Sequence, residues 1–374
     1  MKFEIKREVL SEVLNNVSKL ISSKSSIPIL QGILLEVDED ELRLTASNNS
    51  ETIQHSIPVD GDSVEVFKTG KVVLPKQIVE LVKKAKKKVE FNLEGFTTKI
   101  KSGKSVFELN CLDAEEFPKL PEVNTTEPNL RLRGTQFSDL IKKTRYAAST
   151  SETRPILQGV LFEIQKDCIH LVCTDSHRLG QIKQTCENSS ELRIVIPSKA
   201  LDDVLKTFDL SKDVELFAKD QMILLRNGQT IYFSRLLEGN YPDTSRLIPN
   251  DFKSEVQVDR KEFLNSLERI KTLADAADNG KGGVIKMHVN GVLTISTHQA
   301  QTGKGRDEVQ YSSLEGEDDF TISFSAKYMI DALKTVDCDE VVFKYQGDMR
   351  PFLLVPSEQK SYEELQLILP VRTT

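Results

Sequence analysis

Two periodicities alternate along the chain. Residues 33–50 (ILLEVDEDELRLTASNNS) and 160–177 (VLFEIQKDCIHLVCTDSH) each read as two short strands, apolar and polar positions alternating, joined by a polar turn. Residues 72–95 and 194–220 each read as a strand, a proline, an amphipathic helix and a second strand, the apolar spacing switching from two to between three and four. Residues 320–348 repeat that order with Ser325 where the others carry Pro75 and Pro197. A further helix opens each set, over residues 9–21, 137–148 and 263–274. In the first, Val9, Val13, Val17 and Leu20/Ile21 form one apolar stripe.

The pentapeptide PILQG stands at 28–32 and again at 155–159, an offset of 127 residues, and aligns these blocks. The chain therefore reads as three copies of one module of about 120 residues, within the usual size of a domain. Pro/Asn-rich breaks at 121–128 and 249–254 put the boundaries at 1–124, 125–252 and 253–374. Within PILQG, Pro28 restricts Ile27 to extended geometry, and Gly32 allows a close backbone approach as a strand begins. The fold class expected is α+β.

The composition, 39% hydrophobic and 29% charged, is that of a soluble globular protein. No apolar run approaches the roughly 18 residues needed to span a bilayer. The opening MKFEIKREVL carries charges where a signal peptide needs an apolar stretch, so a cytoplasmic location is expected. Five cysteines without a C-x-x-C spacing point to reduced, structural thiols; no metal and no cofactor are expected.

The net charge of −7 argues against nucleic acid until its distribution is considered. A helix predicted over 76–88 carries Lys76, Lys83, Lys84, Lys86, Lys87 and Lys88 against Glu80 alone. The other predicted helices add Lys142, Lys143 and Arg145, Lys199 and Lys206, Arg260, Lys261, Arg269 and Lys271, and Lys327 and Lys334. Acids cluster in turns instead, at 36–41, 113–116 and 315–319. A basic helical surface on an acidic protein fits sequence-nonspecific contact with phosphates, with Lys83, Lys84, Lys87, Lys143 and Lys206 among the expected contacts. Tryptophan is absent and aromatics are 6%, so base stacking is not the expected source of affinity.

Two stretches imitate enzyme motifs. Gly103-Lys104-Ser105 looks like the end of a phosphate loop, but the first glycine would fall on Thr98, and the flanks read as a hairpin. Thr174-Asp175-Ser176-His177-Arg178 gathers acid, hydroxyl and imidazole. Neighbours on a strand point to opposite faces, so they do not form a triad by themselves. A hydrolase or transferase using Asp175 and His177 is the enzymatic alternative, and a monomeric three-module scaffold another. No catalytic residue is expected.

Taken together, several stretches resemble the bacterial DNA polymerase III β subunit family, the replication sliding clamps. They are the MKF start, PIL-x-G-x-L-L at 28–35, Phe117-Pro118, R-x-x-L-x-G-x-L-F-E at 154–163, Thr174-Asp175-x-His177-Arg178-Leu179, Tyr241-Pro242-Asp243 and the ending Leu369-Pro370-Val371-Arg372. The resemblance covers essentially the whole chain. It implies a head-to-tail homodimer closed into a ring of six modules, with helices lining a central hole and sheets outside. The ring encircles double-stranded DNA and tethers the replicative polymerase, the clamp loader and other partners carrying a clamp-binding motif. It implies a peptide pocket of Arg154, Leu157, Thr174, His177, Arg178, Leu179, Pro242, Arg246, Leu247, Leu369, Pro370, Val371 and Arg372, with the arginines as its polar rim. It further implies a dimer contact through Phe107 and Leu109 on one side and Leu273 on the other, and DNA-facing positions at Lys24, Lys76 and Lys199. Leu369 and Val371 stand where the family commonly has methionine, Ser176 where it often has glycine, and Thr373-Thr374 run past its usual end.

Overall fold

The computed structural model describes residues 1–374 except 23–24, 121–122, 124, 189, 278–282, 300–302, 359 and 373–374. Lys24 and Thr373-Thr374 thus lie outside the described residues. Among those described are six α-helices: α1 (Arg7–Val17), α2 (Ile78–Lys83), α3 (Gly134–Arg145), α4 (Ser198–Thr207), α5 (Arg260–Ala277) and α6 (Ala326–Leu333). None is long and apolar enough to cross a membrane.

The chain forms two compact units, Met1–Phe137 with Lys199–Leu236, and Ser138–Ser198 with Leu237–Thr374. In the first, one sheet runs Val64–Lys68, Lys2–Lys6, Lys88–Glu94, Thr97–Ser102, Ser105–Asn110. The other runs Leu130–Arg133, Asp213–Lys219, Met222–Asn227, Thr230–Arg235, Glu51–Pro58, Glu41–Ser47, Gly32–Val37, Gly70–Pro75. In the second unit a sheet runs Leu192–Pro197, Gly159–Ile164, Cys168–Thr174, Arg178–Thr185, Tyr362–Ile368, Phe352–Pro356, Glu340–Tyr345, Ser254–Asp259, Tyr311–Gly316. Its companion runs Gly303–Val309, Val292–Gln299, Val284–Asn290, Asp319–Ser325. The two larger sheets cross the sequence repeats. Thr230–Arg235 pairs with Glu51–Pro58, and Tyr362–Ile368 with Arg178–Thr185, all antiparallel. Each larger sheet therefore combines strands from two successive repeats.

Both PILQG segments form a 3-10 turn, Pro28–Gln31 and Pro155–Gln158, which the alternation pattern did not foretell. Ile27 is extended, as Pro28 requires. Each closing glycine starts a strand against its neighbour's backbone. A Cβ on Gly32 would sit 2.5 Å from Val73 Cγ1 and 2.8 Å from the Leu74 carbonyl; on Gly159, 2.6 Å from Val195 Cγ1 and 2.8 Å from the Ile196 carbonyl. The repeated motif is thus a turn that lets two strands meet without a side chain between them.

The opening helices form close to where the periodicity puts them. The buried stripe of α1 is Leu10, Val13, Leu14 and Val17, rotated from the expected one, so Val9 is only half-buried. α2 is much shorter than the expected 76–88. Ile78, Val79 and Val82 are buried as predicted, but the Lys84 N–H closes the helix on the Leu81 and Val82 carbonyls. Lys86 N–H then donates to Ser102 Oγ at 2.6 Å, and Lys88 already opens a strand in which Val89 and Phe91 are buried. Continuing the helix would stack Lys83 on Lys87 and Lys84 on Lys88 at i,i+4 spacing, which repulsion disfavours. Two-residue alternation from Val89 onward wins.

Gly103-Lys104-Ser105 is the tight turn of a hairpin between Thr97–Ser102 and Ser105–Asn110, with Gly103 at φ +62°.

Candidate functional site

The hairpin Cys168–Thr174/Arg178–Thr185 carries the TDSHR motif in its turn. Asp175 Oδ1 accepts the His177 and Arg178 N–H groups at 2.9 and 3.0 Å, and Thr174 Oγ1 accepts the Ser176 N–H at 3.1 Å while donating to the Arg178 carbonyl at 2.6 Å. Ser176 is left-handed at φ +77°, the conformation that favours glycine. Asp175 is therefore occupied in shaping the turn, and the acid–hydroxyl–imidazole set has the geometry of a loop scaffold.

Arg178 departs from the expected rim. It is buried, its Nε donating to Asp175 Oδ2 at 2.9 Å and its Nη1 to Asp331 Oδ2 at 2.7 Å. Its guanidinium lies 4.5 Å from the Tyr328 ring centroid and 5.3 Å from that of Tyr146. Burial opposes its charge, but the Asp331 hydrogen bond and the Asp175 charge outweigh it. A guanidinium so fully committed holds the turn from beneath. Thr174 is likewise buried.

Beside this turn, Leu157, Leu161, Val172, Leu179, Val195, Tyr241, Leu353 and Leu367 form one buried apolar cluster. Ile156, Leu237, Ile248, Phe252, Val355, Leu365 and Leu369 pack on it while remaining half-exposed. Of the residues expected from sequence, Leu157, Leu179 and Leu369 meet here. The Tyr241 hydroxyl, accepting the Thr174 N–H at 3.1 Å, fixes the segment bearing exposed Pro242. Arg246 and Leu247 project from a 3-10 turn, Ser245–Leu247, and Leu247 is 50% exposed. The tail is stitched down by backbone bonds: Leu369 N–H to the His177 carbonyl at 2.9 Å, and Val371 N–H to the Ser323 carbonyl at 2.7 Å. Pro370 between them is half-buried, and Arg372 is exposed. Arg154 Nη1 reaches Ser176 Oγ at 3.4 Å, and the exposed His177 ring lies 6.4 Å from that of Tyr328. Sequence reasoning missed Tyr328, because nothing near the motif signals a partner on α6.

Three successive stretches account for nearly all of this chain. The family models for the DNA polymerase III beta subunit match in order: N-terminal domain at residues 1–121, central domain at 131–243, C-terminal domain at 245–372. The chain belongs to the DNA polymerase III beta subunit family. It is 39% identical over 382 residues to the beta sliding clamps of Staphylococcus epidermidis and Staphylococcus aureus, all of each chain being covered. Among solved structures it resembles the DNA polymerase sliding clamp of Bacillus subtilis (36% identity, TM-score 0.94) and the DNA polymerase III beta chain of Streptococcus pneumoniae (34%, TM-score 0.95), each covered fully. The fold is that of three successive clamp domains, mixed α and β.

The remaining expected positions fall as follows. Lys76, Lys83, Lys84, Lys87, Lys199 and Lys206 are exposed. Lys76 Nζ donates to the Ile21 carbonyl at 3.1 Å, Lys83 pairs with Glu80, and Lys199 pairs with Glu51 at 2.7 Å. Lys206 lies 3.6 Å from Asp203. Lys143 corrects the expectation: it is 1% exposed, 2.9 Å from Glu364, 3.1 Å from Asp337 and 2.8 Å from the Thr335 carbonyl. An ammonium so enclosed does not reach a phosphate, and Lys142 is its exposed neighbour on α3. Phe107 is 42% exposed on the edge strand Ser105–Asn110, hence not a core residue, and Leu109 is half-buried. Leu273 is half-buried on α5, against Gly305 of the edge strand Gly303–Val309.

Proposed function

We propose that this chain is a non-enzymatic processivity clamp, acting in the cytoplasm as a head-to-tail homodimeric ring around duplex DNA. The observation that carries the reading is the full-length match to beta sliding clamps, through three successive modules. The modules are taken as 1–124, 125–252 and 253–374. Retention is topological: a closed ring leaves DNA only by opening or by running off an end. The loose, salt-sensitive contacts of Lys76, Lys83, Lys84, Lys87, Lys199 and Lys206 with phosphates then permit sliding.

The apolar cluster around Leu157, Leu179 and Leu369 is the docking place for an extended peptide of the polymerase, the clamp loader or other partners. Arg154, His177, Pro242, Arg246, Leu247, Pro370, Val371 and Arg372 surround it, and Thr174 and Arg178 brace it. A half-exposed apolar ledge over a rigid floor suits such an anchor. Tethering raises the polymerase's effective concentration at the primer end.

Loaded onto nicked circular DNA, the protein is expected to stay through gel filtration at a salt concentration that abolishes phosphate contacts, and to be lost once the circle is cut. Equal loss from circle and line would reject the topological mechanism.

A further inference from the structure

The third module carries a basic trough that shares Arg372 with the docking place and has the edge strand Gly303–Val309 as one wall. A cavity of about 700 Å³ opens over the strands Val284–Asn290, Val292–Gln299 and Gly303–Val309, lined by Lys286, His298, Lys304, Arg306 and Arg372 with no carboxylate in its wall. Cross-strand register assembles it. Lys286 faces Ser296, which faces Arg306, and His298 faces Lys304. Arg306 is partly neutralised by Glu308 at 2.8 Å, whereas Lys286, His298, Lys304 and Arg372 make no ion pair among the described residues. On a chain of net charge −7, an acid-free concavity with this lining is a local reversal of sign.

The trough is continuous with the apolar cluster. Leu369 packs on that cluster, Val371 is bonded to the Ser323 backbone, and Arg372 already lines the trough. Three extended residues cover ~10 Å, so a peptide leaving the cluster along the tail reaches the trough within three or four residues. We propose that the trough binds an acidic segment flanking the apolar anchor of a partner peptide, so that charge outside the anchor grades affinity among partners. The proposal rests on the peptide-docking reading above. A peptide is favoured over single-stranded nucleic acid because the lining offers cations and hydroxyls but no Phe, Tyr or Trp on which successive bases stack, the His298 imidazole being its one ring.

The test uses the full-length protein and fluorescent Leu-Ser-Leu-Phe peptides extended at either end by four serines or four aspartates. Binding of the serine-tailed probe reads the apolar cluster; the ratio between tails reads the trough. With several exposed pairs of modest individual strength, the aspartate tail at one end is expected to bind about tenfold tighter in 50 mM salt, the ratio falling towards one in 1 M salt. Lys286 is exposed, so Lys286→Gln and Lys286→Glu should leave the serine-tailed probe unaffected. Lys286→Gln should reduce the ratio to about threefold, and Lys286→Glu should abolish it. Equal affinities for both tails at both ends, or a ratio unmoved by Lys286→Glu, would overturn the proposal. So would an oligothymidylate that binds, and is lost in Lys286→Glu, where the aspartate tail gains nothing. If only the aspartate-tailed probe binds, the docking reading fails and the trough stands; if neither binds, both fail.

Discussion

His55 is a histidine kept neutral by its surroundings. Its Nδ1 lies 2.8 Å from Thr230 Oγ1 across the paired strands Glu51–Pro58 and Thr230–Arg235. Burial, and then the positive charge of Lys212, lower its pKa to about 4. An unfolded histidine titrates near 6.5, so between pH 6.5 and 4 the unfolded chain binds a proton that the folded chain refuses. Stability is therefore expected to fall across that window, by up to about 3 kcal/mol from this residue, and to lose nothing more to it below pH 4. The urea midpoint of His55→Gln should drop less between pH 7 and pH 4.5 than that of the parent; identical drops would remove His55 as the cause. At this scale the sequence was legible where chemistry is local. Pro28 holds Ile27 extended and Gly32 opens its strand against Val73 and Leu74, as read, whereas the TDSHR stretch, read along a strand, is the turn between two strands, shaped by its Asp and Thr side chains. It was not legible where the deciding neighbour is distant in the chain: Thr230 for His55, Tyr328 and Asp331 for Arg178.

Among the helices, periodicity identified α1, α3, α4, α5 and α6, and α2 at less than its expected length, but not what covers each face. On α3, Lys142 and Lys143 are adjacent and look equivalent in sequence, yet one is exposed and the other enclosed by Glu364, Asp337 and the Thr335 carbonyl. Glu364 is itself buried, on the strand Tyr362–Ile368, so the pair ties α3 to a strand of the third repeat. Gln366 extends the tie: its Nε2 donates to the Lys143 carbonyl, and its Oε1 accepts the Tyr146 hydroxyl. Burial opposes the ammonium, but the charge and hydrogen bond of Glu364 exceed it and raise the Lys143 pKa. Removing Lys143 strips the buried Glu364 carboxyl of its cation, a loss of about 3–5 kcal/mol, whereas replacing both is far milder. Lys143→Met is thus expected to destabilise by about that amount, and Lys143→Met combined with Glu364→Gln to recover at least half, read by urea denaturation. Additive losses in the double variant would mean that the two side chains do not act as a pair. This buried tie also explains why a basic helix is a poor guide to phosphate contact: charge on a helix is available only where nothing packs over it.

At the level of the whole molecule, repetition was legible and sheet continuity was not. Two copies of PILQG and three of the strand–helix–strand block announce three modules, but strand partners such as Thr230–Arg235 with Glu51–Pro58 follow from no local period, because alternation names a strand and not its neighbour. Continuity leaves edges. The strand Ser105–Asn110 ends one sheet, with Val106 56% and Phe107 42% exposed, and Gly303–Val309 ends another. An unpaired apolar edge invites pairing with a second chain. If the first of these edges meets the second on a partner copy, a head-to-tail ring contains the same contact twice, so one substitution weakens both. Phe107→Asp removes an aromatic anchor and inserts a charge at each contact, of the order of 2 kcal/mol or more apiece. Because Phe107 is exposed in the single chain, the variant should keep its thermal unfolding profile at low concentration. In sedimentation at micromolar concentration the parent should run at twice the 42.2 kDa chain mass and Phe107→Asp near the single-chain mass. On nicked circles the variant should then be lost as fast as the parent is from cut DNA. A Phe107→Asp protein that stays dimeric and stays on the circle would place the closing contact on another surface.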